Sequence, residues 1–80
     1  MPAVPEGIAG HAGVLESDAR ALAECAERLR EIEVRLEAGG AAPPWLYEAV
    51  NAHLAACAEA AADLVAASAR LRTYAERARP

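Results

Sequence analysis

Cys25, His53 and Cys57 carry most of the chemistry open to this chain. Two thiols and an imidazole are ligands that suit zinc or copper, and His53 stands four residues before Cys57, on one face of any helix that contains both. The two cysteines could instead join, and a Cys25–Cys57 disulfide would close a loop of about 33 residues and contribute roughly 3 to 4 kcal/mol in the chain-entropy description. A third state is a pair of free thiols that behave as small apolar residues in a reducing compartment. Spacing alone leaves all three open.

No other constellation has catalytic spacing. A carboxylate-bridged di-iron site would need Glu-x-x-His motifs from several helices, and although Glu48 and His53 are both present, the chain contains no Glu-x-x-His. There is no glycine-rich phosphate loop and no nucleophile elbow, and the acids of the first half alternate with arginines as on a solvated face. Neither catalysis nor a cofactor is expected. The net charge of −4 argues against a nucleic-acid partner, which requires a basic face.

The elements that hold these residues follow from hydrophobic spacing. Ile8, Leu15, Leu22, Leu29 and Leu36 recur every seven residues, as do Val50, Cys57, Leu64, Leu71 and Ala78. A seven-residue repeat of apolar positions is the seam of helices that pack side by side. Gly39, Gly40, Pro43 and Pro44 separate the two series, glycine ending one helix and proline opening the next. The spacing therefore predicts an all-α, antiparallel two-helix hairpin, with helix 1 over residues 13–38, a turn over 39–44 and helix 2 over 45–78. Glu16/Arg20, Glu24/Arg28 and Glu31/Arg35 are spaced to support helix 1 as acid-before-base pairs. Gly7, Gly10 and Gly13 each disfavour helix by roughly 1 kcal/mol, so residues 1–12 are expected to fray.

A hairpin turning near residue 41 pairs residues whose numbers sum to about 82. Cys25 would then face Cys57, Leu36 would face Leu46, Leu29 would face His53 and Leu54, Leu15 would face Ala67 and Ser68, and Ile8 would face Tyr74 and Ala75. Eighty residues, 23 of them alanine and none phenylalanine, supply a wide but thin apolar surface, so assembly with another chain is expected. The predicted partner face is Leu15, Leu22, Leu29, Leu36, Val50, Leu54, Leu64 and Leu71, closing a four-helix bundle with a second hairpin. Trp45 and Tyr47 sit at the tip, where large aromatics can form a binding hot spot. Trp45 is expected to fold back over Leu36 and cap the seam, and that position is compatible with a binding role in a complex.

Met1 to Glu6 contains no basic segment leading into an apolar run, so no cleaved leader is expected. Asn51, His53, Glu59 and Asp63 interrupt the alanine-rich stretch and argue against a membrane span. A soluble chain, cytoplasmic or exported by a leaderless route, is the expectation. All eight basic residues are arginine, which together with the alanine excess fits a GC-rich genome.

With two long helices, a tryptophan at the turn in Pro44-Trp45-Leu46 and Tyr74 near the end of helix 2, the chain resembles the small helical-hairpin proteins of type VII secretion, the W-x-G family and its actinobacterial relatives. The likeness spans roughly His11 to Arg77. Leu46 stands where the family has glycine, and the family's pairing of a tyrosine with an acid four residues later is incomplete, since Ala78 follows Tyr74 at that distance and Glu76 comes early. The resemblance implies a dimer, of like or unlike chains, and a role as partner or adaptor for a secreted effector. Trp45 and Tyr74 would be its recognition residues.

Overall fold

The computed structural model describes residues 4–79, and these form two helices, α1 over Val4–Gly39 and α2 over Pro44–Arg77. They pack antiparallel into a rod of 61 × 16 × 14 Å. The turn is set by the residues the sequence marks for it. Gly40 adopts φ +66°, a left-handed conformation that glycine enters without strain, and its N–H donates to the carbonyls of Leu36 and Glu37, at 3.2 Å each. Pro43 is extended (φ −69°, ψ 150°) and its carbonyl accepts the Leu46 N–H at 3.0 Å. Pro44 opens α2, where a missing N–H costs no helical hydrogen bond. At the far end the Ala78 N–H donates to the Tyr74 carbonyl at 3.0 Å, and Arg77 in the last turn complements the helix dipole.

Helix α1 begins earlier than the glycine pattern predicts, at Val4 instead of residue 13. Residues 1–3 of the expected frayed segment lie outside the described residues. From Gly7 onward the helix is held by packing: Ala12 is fully buried against α2, and Ile8 and Ala9 are half-buried. Tertiary packing of an apolar face outweighs intrinsic propensity in most protein helices.

The seam contains more than the leucines. On α1 the residues turned toward α2 run Ile8, Ala12, Leu15, Ala19, Leu22, Ala26, Leu29, Glu33 and Leu36, alternating four and three apart, and all are buried or half-buried. On α2 the matching line is Tyr47, Val50, Leu54, Cys57, Ala61, Leu64, Ser68, Leu71 and Ala75. Two cross-helix contacts fix the register. Tyr47 Oη donates to the Leu36 carbonyl at 2.9 Å, and Ser68 Oγ lies 3.0 Å from the Ala12 carbonyl and 2.9 Å from Glu16 Oε1. The bonded pairs sum to 83, 80 and 84, and the two seam lines match at a sum of about 83, one more than the expected 82.

The shift changes two of the expected partners, since Leu36 faces Tyr47 and Cys57 faces Ala26, while Leu15 still faces Ser68 and Ile8 still faces Ala75. From Ile8 to Leu22, which faces Ala61, each layer sets a large side chain against a small one. Small residues let the helices approach closely, and the small members are the buried ones: Ala12, Ala19, Ser68 and Ala75 are each at most 6% exposed. Val50, at 8%, completes the buried set among the described residues.

Candidate functional site

The cysteine and histidine cluster does not assemble. Cys25 and His53 are exposed, Cys57 is half-buried, and both thiols are free. Among the described residues no group of three His, Cys, Asp or Glu side chains converges to hold a metal. The cause is azimuth. Cys25 is level with Cys57 to within one residue, but the position facing α2 belongs to Ala26, and one residue along a helix turns the side chain by about 100°. The disulfide and the Cys25/His53/Cys57 metal site both required Cys25 in the seam, and it stands beside it.

A polar cluster spans the helices near their open end. Glu16 Oε1 accepts from Ser68 Oγ at 2.9 Å and from Arg72 Nε at 2.6 Å. The hydrogen bond from Arg72, then that from Ser68, holds the Glu16 carboxyl below its ordinary range against the opposing effect of burial, and Arg72 is raised in turn by Glu16. Sequence spacing had assigned Glu16 to Arg20; it reaches across to α2 instead. The other ion pair among the described residues joins Glu27 and Arg30, so the expected Glu24/Arg28 and Glu31/Arg35 pairs are not made. Ser68 is only 1% exposed, and its single hydroxyl proton is shared between two acceptors, the Ala12 carbonyl and Glu16 Oε1. Nothing about an isolated serine in an alanine-rich stretch marks it as this contact.

At the tip, Tyr47 does what was expected of Trp45. The Tyr47 ring is half-buried over the end of the seam with its hydroxyl on the Leu36 carbonyl, a helix-terminal acceptor, whereas Trp45 is 66% exposed. Tyr74, at 60%, is exposed as well. Glu33 occupies a seam position between Leu29 and Leu36, and its Oε2 is buried without a hydrogen-bond partner.

The eight residues expected to meet another chain meet α2 or α1 of the same chain first. Leu15, Leu22, Leu29, Leu36, Leu54, Leu64 and Leu71 all lie along the hairpin seam half-buried, and Val50 is buried there. The apolar side chains most open to a partner are others: Val14, Ile32, Val34, Trp45, Val65 and Tyr74, each 45% exposed or more. On one flat side of the hairpin Ala19, Ala23, Ala61, Ala62, Val65 and Ala69 line a shallow apolar groove between the helices, bordered by Glu16, Arg20 and Arg72. Among the described residues no helix is long and apolar enough to cross a membrane.

Compared with known proteins, the chain matches no family model, no curated protein sequence and no solved structure.

Proposed function

We propose that this chain is a non-enzymatic helical hairpin that works by packing against another helical chain, as a partner or adaptor of the kind found in type VII secretion. One observation carries this reading: none of the eight leucines is buried, because the closed layers are built on alanine, serine and valine and the leucines straddle them with part of each side chain in solvent. Six further large apolar side chains are exposed outright. Apolar surface spread along a thin rod is what a four-helix bundle covers when a second hairpin docks. The exposure of Trp45 and Tyr74 supports their proposed role as recognition residues, since exposed aromatics can serve as anchors once an interface buries them. Tyr47 is assigned to the hairpin's own structure.

The test is a dilution series of the purified chain in which solution mass by light scattering and helicity by circular dichroism are followed together, with and without reductant. A helical assembly that loses helix as it dissociates supports the reading, as does a poorly helical chain that gains helix when a second hairpin is added. A fully helical monomer whose thermal stability does not change with concentration refutes it.

A further inference from the structure

The hairpin's second flat side, opposite the alanine groove, carries a stripe of its own. Val14, Asp18, Ala21, Cys25, Arg28 and Ile32 follow one another along α1 at alternating spacings of four and three, and all six are exposed. They form a second heptad-spaced line, about a third of a turn around α1 from the seam. Val14 is 57% and Ile32 45% exposed. Asp18 and Arg28 take part in no ion pair among the described residues, whereas the groove side's Glu16 and Arg72, and Glu27 and Arg30, already pair within the chain.

The stripe is complementary to itself when reversed. Its chemistry reads apolar, acid, small, small, base, apolar. Set against a copy running the other way, Val14 meets Ile32, Asp18 meets Arg28 and Ala21 meets Cys25, each pair occurring twice about a two-fold axis level with Ala23. A two-fold interface requires this kind of reciprocity. Helix α2 is compatible with the same axis, its exposed Asp63 and Arg70 falling level with the uncharged Cys57 and Val50 and so meeting no like charge. The hairpin register brings Ala60 level with Ala23, and reversing α2 about Ala60 sets Tyr74 against Leu46 and His53 against Ala67. The same axis thus gives the exposed Tyr74 ring an apolar neighbour at the other hairpin's tip.

From this coincidence we infer that the partner is a second copy of the chain, docked antiparallel on the Val14 to Ile32 side. The inference rests on the proposed packing function and names its occupant and its face. From the Tyr74 level to the Leu46 level the contact runs roughly 42 Å at 1.5 Å per residue. Across a rod 16 Å wide that is a footprint on the order of 700 Å², near the roughly 800 Å² per partner of a stable interface.

Charge reversal tests it. The wild-type chain should scatter at twice its 8.3 kDa mass. Asp18→Arg and Arg28→Asp, each of which sets like charges together twice, should halve that mass, with the loss of helix that accompanies dissociation. The double variant, which restores opposite charges, should recover it. A cysteine placed by Ala21→Cys in a Cys57→Ser background should oxidise to a covalent dimer through Cys25 of the other copy, and Glu24→Cys, off the stripe, should not. Wild-type chain at monomer mass across all concentrations would overturn the inference while leaving a different helical chain as the partner. A wild-type dimer that both single reversals leave intact, or that the double variant fails to restore, or that forms no covalent dimer at residue 21, would overturn the assigned face while leaving association itself in place.

Discussion

Replacing Glu33 by leucine should make the hairpin more stable. Glu33 stands in the seam between Leu29 and Leu36, level with Val50, which is 8% exposed, and its Oε2 is buried with no hydrogen-bond partner. A buried acceptor left unsatisfied costs about 1 to 3 kcal/mol. A leucine covered to the same half-buried degree as its neighbours adds about 1 kcal/mol from the apolar area it removes from water. Glu33→Leu should therefore gain about 2 to 4 kcal/mol, and in a domain of this size the melting temperature should rise by at least about 8 °C. Glu33→Gln keeps a polar group in the same slot and should recover less than half of that gain. Thermal unfolding followed by circular dichroism measures both. Repeating it at several concentrations separates a gain within the hairpin, which appears equally at each, from one that depends on association. A Glu33→Leu chain no more stable than wild type would mean that the carboxylate finds a partner in solution, and the account of the seam near the tip would fail.

Three further outcomes follow from the geometry. Leu22→Asp puts a charge against Ala61 in the middle of the seam and should cost several kcal/mol, unfolding the hairpin or its assembly; a folded monomer of unchanged helicity would contradict this. Glu16 has a lower carboxyl pKa in the folded chain than in the unfolded one, so its stabilising contribution is present above the ordinary carboxylate range and is lost as pH falls below it. In melts recorded from pH 7 to 3, the difference between wild type and Glu16→Gln should shrink toward the acid end, while the raised pKa of Arg72 contributes equally throughout that range. Both thiols should react with a thiol reagent without denaturation or reductant, the exposed Cys25 before the half-buried Cys57, and a chain showing no reactive thiol until reduced would reinstate the disulfide.

The hairpin, its turn and its antiparallel sense were legible because glycine, proline and the seven-residue leucine spacing each act locally. The register was legible to within a residue and no better. One residue matters greatly here, since it exchanges Cys25 for Ala26 opposite Cys57 and Leu46 for Tyr47 opposite Leu36. The leucine series also concealed its own complement. Ala12, Ala19 and Ala26 repeat every seven residues between the leucines, and Ala12 and Ala19 take the buried positions, but among 23 alanines their spacing has little contrast. Trp45 was expected to cover Leu36 by virtue of its size. The position of Tyr47 on the seam side of α2, together with a hydroxyl that can reach a helix-terminal carbonyl, decided otherwise.

The alternation of large and small residues links the fold to what it can do. A layer of two leucines would hold the helices apart and enclose both side chains' inner faces, whereas a leucine against an alanine draws the backbones together and leaves the leucine overhanging. Repeated from Ile8 opposite Ala75 to Leu22 opposite Ala61, this produces a flat rod whose two broad sides carry apolar edges along its open half. Filling the small positions should then suppress association as it stabilises or strains the single hairpin. Ala19→Leu, at a site 5% exposed and facing Leu64, should force the helices apart at a cost of about 1 to 3 kcal/mol, and should weaken docking of a second hairpin by bending the flat sides on which docking depends. Light scattering and thermal melts on that variant separate the two effects. Unchanged stability with unchanged mass would show that close approach of α1 and α2 is not what shapes the surface.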